Sequence, residues 1–201
     1  KNLIYLKTLQ VAYNFRIKMF LNKFTDKNFA IKYRSKFSKE VYDKNDLKPN
    51  QNLNFVGGDI VLFNSEFIEN YKFSTILGSC VSIVFNDPTS KIVGVSHYLK
   101  PVAKTSFEDN FSSGDTSSKF ILEQMVKFGA DINRIKAQIY GGASVNESLK
   151  ILKPGKKNVL WAEEFLQSQG IRYALSSVED KNGRIIYVGK FGLVNFELIF
   201  N

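Results

Sequence analysis

The chain has 201 residues, 44% of them hydrophobic and 14% aromatic, which allows one globular domain with an extension. One cysteine excludes an internal disulfide framework and a Cys-rich zinc site, and one histidine excludes a His cluster, so no metal is expected. The formal charge of +9 is concentrated: residues 1–50 carry 12 Lys/Arg against 4 Asp/Glu, and residues 51–201 carry 16 against 15, so the main domain is nearly neutral and lacks the basic stripe of a nucleic-acid binder.

Residues 1–50 read as a basic N-terminal extension and residues 51–201 as the main domain, with a polar boundary over residues 46–54 that contains Pro49. Leu6, Leu9, Phe15, Met19, Phe20 and Phe24 lie among lysines at imperfect helical spacing. A basic amphipathic helix of this kind touches anionic membrane or a partner. A packing arm or plain extension is the simpler reading and is preferred. No run of about 18 apolar residues exists, so no membrane span is expected. The first residues do not read as a secretory signal, and a free thiol fits a reducing cytoplasm.

Residues 58–63 read as a strand, and residues 73–77 lead into a hairpin. Its arms are the apolar runs around Cys80 and His97, separated by Asn86-Asp87-Pro88-Thr89-Ser90, a dense turn signal. A polar loop over 105–114 precedes Asp115-Thr116-Ser117-Ser118, which offers N-caps for a helix over about 117–128. Ile121, Leu122, Met125 and Val126 share its apolar face, and Gly129 stops it. Residues 134–140 read as a strand ending at Gly141-Gly142. A second helix is expected over 158–169, with Leu160, Trp161, Phe165 and Leu166 inward and Gly170 at its end. Residues 171–178, a turn at Lys181-Asn182-Gly183, and residues 184–188 and 193–200 complete an antiparallel C-terminal sheet. The sum is an α/β (α+β) fold, with mixed or antiparallel strands and helices packed on a sheet.

The only thiol and the only imidazole are placed to meet. If Asp87 to Ser90 close the hairpin, Asn86 opposes Lys91, and the same register sets Cys80 opposite His97. Directly opposed side chains lie about 4.5–5.5 Å apart at Cβ. A thiol beside an imidazole is the minimal nucleophile and base for acyl transfer. A slip of one residue would turn His97 to the other face. A lone cysteine is more often a small buried hydrophobe. Gly78 and Ser79, however, give Cys80 a small-residue approach at which backbone N–H groups can serve an oxyanion. A third polar residue should hold the ring, and Ser74 and Thr75 are the candidates. Gly141-Gly142-Ala143-Ser144 lacks Walker spacing and reads as a tight loop lining the cleft, where Ser144 is a candidate donor. Glu163 and Glu164 read as a solvated helix face.

With these residues in view, the sequence resembles the chemoreceptor glutamine deamidases of the CheD family, over roughly residues 55–200. The resemblance rests on Leu77-Gly78-Ser79-Cys80-Val81, Asp87-Pro88, Gly94 through His97, and Leu99-Lys100-Pro101. It continues with Gly114-Asp115 opening a helix, Tyr140-Gly141-Gly142-Ala143, and Gly155 through Asn158. It implies Cys80 as nucleophile and His97 as general base. The family's orienting threonine stands six residues before the cysteine, where this chain has Ser74, with Thr75 next to it. It implies a mixed β-sandwich with helices, similar to bacterial toxin deamidases. It implies hydrolysis of receptor glutamine side chains to glutamate through a thioester, without a cofactor. The same likeness implies another role, an adaptor binding a CheC-type response-regulator phosphatase; a third reading is a generic cysteine hydrolase of another amide or ester, including a receptor methyl-ester hydrolase.

Overall fold

The computed structural model describes residues 29–48, 50–68, 71–105, 111–144 and 153–200. The amphipathic segment through Phe24 lies outside them, as does the middle of the polar loop before the first helix. The strands are β1 (Ala30–Tyr33), β2 (Lys39–Val41), β3 (Asn52–Asn54), β4 (Ile60–Asn64), β5 (Lys72–Leu77), β6 (Val81–Asp87), β7 (Ile92–Ser96), β8 (Lys136–Gly141), β9 (Arg172–Val178), β10 (Gly183–Val188) and β11 (Val194–Ile199). The helices are α1 (Gly114–Lys127) and α2 (Pro154–Ser168).

Seven strands form one sheet in the order β2-β1-β4-β7-β6-β8-β9, and four form a second in the order β11-β10-β5-β3. All neighbours are antiparallel except β8–β9 and β3–β5. The expected α+β class and mixed sandwich are therefore observed. Period-two alternation divides the large sheet between two cores. Val81, Ile83, Phe85 and Ile92 face the helices, together with Ile121, Leu122, Met125, Val159 and Leu166. Val84, Val93 and Val95 face the small sheet and meet Phe73, Leu77, Ile186 and Val188. The order of layers is helices, seven strands, four strands.

Charge alone grouped residues 30–41 with the extension, but β1 and β2 are hydrogen-bonded into the large sheet. Ala30, Ile31 and Tyr33 supply buried apolar surface, and the ammonium of Lys32 reaches Glu40 at 2.8 Å. The C-terminal strands also sort differently from expectation. β9 pairs parallel with β8 in the large sheet, whereas β10 and β11 belong to the small one. Leu160 points outward, at 46% exposure. The helix begins four residues earlier than its periodicity suggested, with Pro154 in its first turn, and its buried stripe is Val159, Ala162, Phe165 and Leu166.

The β6–β7 hairpin forms with a register two residues away from the expected one. Asp87 opposes Ile92, and the turn takes in Lys91, which adopts a left-handed conformation with φ 62°. Asp87 stays in the strand because its carboxylate organises the turn. It accepts from the N–H groups of Thr89 (3.0 Å) and Asp131 (2.9 Å) and from Arg134 Nη2 (2.9 Å). Burial opposes its ionisation, but Arg134 and these N–H groups outweigh that and hold the carboxyl below its usual range.

A carboxyl that titrates lower in the folded than in the unfolded chain stabilises fully above the unfolded value of about 3.9, and that stabilisation is lost as pH falls below it. Asp87→Asn should therefore lower stability by about 1–3 kcal/mol at neutral pH, with the deficit shrinking below about pH 4. Thermal melts of both proteins from pH 7 to pH 3 check this. A deficit constant with pH would show that the charge is not what the turn uses.

Candidate active site

The shifted register changes how Cys80 and His97 are related. Val81 and Tyr98 exchange two backbone hydrogen bonds of 3.0 Å. That pairing sets Ser82 opposite His97 and Cys80 opposite Leu99, so the two candidates are diagonal rather than directly opposed. A shift of two preserves the face. Cys80 packs against the inter-sheet core, and His97 continues the Val93–Val95 series that faces it. Ile83 N–H, in place of a ladder bond, donates to Ser96 Oγ at 3.2 Å. His97 N–H turns to Asp59 O at 3.2 Å, which anchors the strand on its β4 side.

The ring of His97 is 5% exposed and lies edge-on to Phe55, with ring centres 6.3 Å apart. Thr75 Oγ1 stands 2.8 Å from His97 Nδ1. Ser74, at the position implied by the resemblance, does not reach the ring. Its hydroxyl donates to Asn54 Oδ1 at 2.6 Å. Strand alternation is the reason: Phe73 and Leu77 fix which face of β5 is inward, and Thr75 shares it. A cavity of about 450 Å³ opens here, with Asn54, Phe55, Thr75, Ile76, His97 and Tyr187 in its wall. Ser74 also lines this cavity, and Cys80 does not.

Backbone contacts hold Cys80 from below. The carbonyls of Gly78, Ser79 and Cys80 accept from Ala143 N–H (2.8 Å), Asn158 Nδ2 (2.9 Å) and Gly142 N–H (2.8 Å). The Gly142 amide is thus engaged by the protein itself and supports the Cys80 carbonyl. A Cβ at Gly141 would lie 2.2 Å from Cys80 O, and the residue has φ 106°. Gly155, in the first turn of α2, leaves no room for a side chain either, since its Cβ would stand 2.3 Å from Gly142 O. Because each peptide is planar and trans, the Ser79 N–H points away from Ala143 and the Cys80 N–H away from Asn158. Ser144 N–H donates to Asp180 O at 2.8 Å.

Burial pushes the Cys80 thiol up, opposed by its own backbone N–H. Burial pushes the His97 imidazole down to about 4. Both effects disfavour the charged forms. At neutral pH the pair is a thiol and a neutral imidazole. Among the described residues no group of three or more His, Cys, Asp or Glu is arranged to hold a metal ion.

Sequence reasoning missed Asn158 as part of this site, although it lies in a quoted motif. It is fully buried. A buried Asn on a helix that otherwise presents Val, Ala and Leu inward was the available signal.

Fold and site define a two-sheet α+β protein with a thiol and a threonine-held imidazole on one inter-sheet face. Residues 101–190 match the family described as CheD chemotactic sensory transduction. A protein of Pyrococcus horikoshii named "Probable chemoreceptor glutamine deamidase CheD" is 35% identical over 56% of this chain and 72% of its own length. A similarly named protein of Methanosarcina acetivorans is 36% identical over 54% of the chain and 49% of its own length, and one of Cereibacter sphaeroides is 29% identical over 58% of each. The chain belongs to the CheD family, and it spans about 58% of the length of curated relatives such as the last. The crystal structure of the C-terminal domain of CNFy from Yersinia pseudotuberculosis aligns over 84% of this chain and 72% of that one, at TM-score 0.38 and 10% identity, a likeness that carries no functional information.

Two outcomes are expected. Alkylation of Cys80 by iodoacetamide should rise with pH to a midpoint above the value of about 8.5 for a free thiol, and a midpoint near 7 or lower would show a preformed thiolate instead. Gly141→Ala should destabilise the fold by about 1–3 kcal/mol, because the left-handed backbone and the Cys80 carbonyl both reject a methyl group. Thermal unfolding measures the second effect, and an unchanged melting temperature would contradict it.

Proposed function

We propose that this protein hydrolyses glutamine side-chain amides of chemoreceptors to glutamate, with Cys80 as nucleophile, His97 as general base and Thr75 as the residue that orients the ring. The observation that carries this reading is the 2.8 Å contact between Thr75 Oγ1 and His97 Nδ1, on a ring that shares the inter-sheet face with the only thiol. Membership of a family whose relatives bear the name glutamine deamidase supplies the substrate class.

In this mechanism His97 Nδ1–H donates to Thr75, which leaves the Nε2 lone pair free; this tautomer follows from the role assigned to the ring. The lowered imidazole pKa and the raised thiol pKa favour transfer from a neutral pair over a standing ion pair. Nε2 takes the thiol proton as sulfur attacks the amide carbon. The N–H groups of Cys80 and Ser79 face the oxyanion that forms. The imidazolium then protonates the departing nitrogen, and ammonia leaves behind a thioester. Water, deprotonated by His97, attacks that thioester; glutamate and the thiol return. The domain that does this comprises residues 51–201 with β1 and β2 added to its sheet. A free thiol nucleophile suits a reducing cytoplasm, and among the described residues no helix is long and apolar enough to cross a membrane.

Incubation with a receptor cytoplasmic fragment should convert specific glutamines to glutamate, a gain of about one mass unit per site, and Cys80→Ala should abolish the conversion. Thr75→Ala should lower kcat about tenfold or more, Thr75→Ser should recover most of it, and Ser74→Ala should stay near wild type. The rate should hold from pH 7 to near pH 5 and fall as pH approaches the imidazole value of about 4. No conversion, with intact binding to a CheC-type phosphatase, would favour the adaptor role instead.

A further inference from the structure

Asn158 makes three connections from the start of the second turn of α2. Its Nδ2 donates to Ser79 O at 2.9 Å and to Leu99 O at 3.0 Å. Its own backbone carbonyl accepts the Tyr98 hydroxyl at 2.7 Å. Two carbonyl oxygens within hydrogen-bond distance require donors, so the NH₂ end of the amide faces them. Its Oδ1 is buried without a partner. Such an arrangement sacrifices one polar atom to place two donors, and a primary amide is the smallest neutral side chain with two donors on one atom.

The two carbonyls belong to the two halves of the candidate site. Ser79 immediately precedes the nucleophile, and Leu99 stands two residues after the base. The Ser79–Cys80 peptide is planar and trans, so holding Ser79 O downward aims Cys80 N–H in the opposite direction. Leu99 is the residue that opposes Cys80 in the observed register. A single side-chain nitrogen thus bridges the β6 and β7 backbones at the level of Cys80, where the regular ladder has ended.

We propose that Asn158 is a positioning residue: its amide fixes the Ser79–Cys80 peptide against the His97 strand, setting both the oxyanion-facing N–H and the approach of thiol to imidazole. This rests on the Cys80–His97 reading above and goes beyond it by assigning the element that holds the pair in register.

The test is a double-mutant cycle on Cys80 alkylation by iodoacetamide at pH 7.5. His97→Ala should slow alkylation at least about tenfold in the wild-type background. In an Asn158→Ala background the same substitution should change the rate less than about twofold, because the pair is no longer aligned. Asn158→Ser, which keeps one donor, should give an intermediate factor. Tyr98→Phe removes the hydroxyl bond to the Asn158 carbonyl but leaves Nδ2 in place, so it should retain the wild-type factor even where it lowers stability. An undiminished His97 effect in both Asn158 variants would overturn the proposal while leaving the dyad intact. Absence of a His97 effect in the wild-type background would remove the dyad, and with it this inference. Loss of near-ultraviolet circular dichroism in both Asn158 variants would show a role in folding alone and would also overturn it. On a receptor substrate, Asn158→Ser should lower kcat about tenfold or more with KM within about twofold.

Discussion

The meeting of the Cys80 carbonyl with the Gly141–Gly142 backbone is the contact on which the site depends. Gly142 N–H donates to Cys80 O at 2.8 Å, and the geometry leaves no room for a side chain at Gly141. β8 therefore ends against the residue that immediately precedes β6. Gly155 brings α2 close enough to close the same layer from outside. The Gly78, Ser79 and Cys80 carbonyls are all committed to this support. Backbone packing fixes Cys80 at this point of the chain.

Burial sets the electrostatics of the pair. The inter-sheet layer penalises charge on both groups, so the thiol is kept protonated and the imidazole neutral. A neutral imidazole with one nitrogen engaged by Thr75 is a base of defined direction. In the hydrolysis proposed above, its low proton affinity makes it a good acid once it has taken the thiol proton, which suits expulsion of ammonia.

Much of the fold was legible because long apolar segments carry their own period. β4, β6, β7 and α1 follow directly from alternation or from a 3.6-residue stripe. The helix face of Leu160 was misread because Leu160 and Trp161 adjoin a stripe that Val159 and Ala162 complete. The third site residue was obscured for a similar reason. Phe73-Ser74-Thr75-Ile76-Leu77 places apolar residues on both faces of β5, so alternation does not by itself say whether Ser74 or Thr75 is inward. Packing of Phe73 and Leu77 into the inter-sheet core decides it.

The sequence alone determined that one thiol and one imidazole lie on neighbouring arms of a hairpin, and the two-residue shift of the observed register keeps them on one face. It also carried the glycines without which the backbone beneath Cys80 would not fit. Tertiary structure decided the register itself, because Lys91 joins the turn only when Asp87 is held by Arg134 and Asp131 from another part of the chain. It decided that Thr75 holds the ring, and that Asn158, far along the chain from Cys80, ties the two strands together. Those assignments depend on contacts between distant segments, and no local period encodes them.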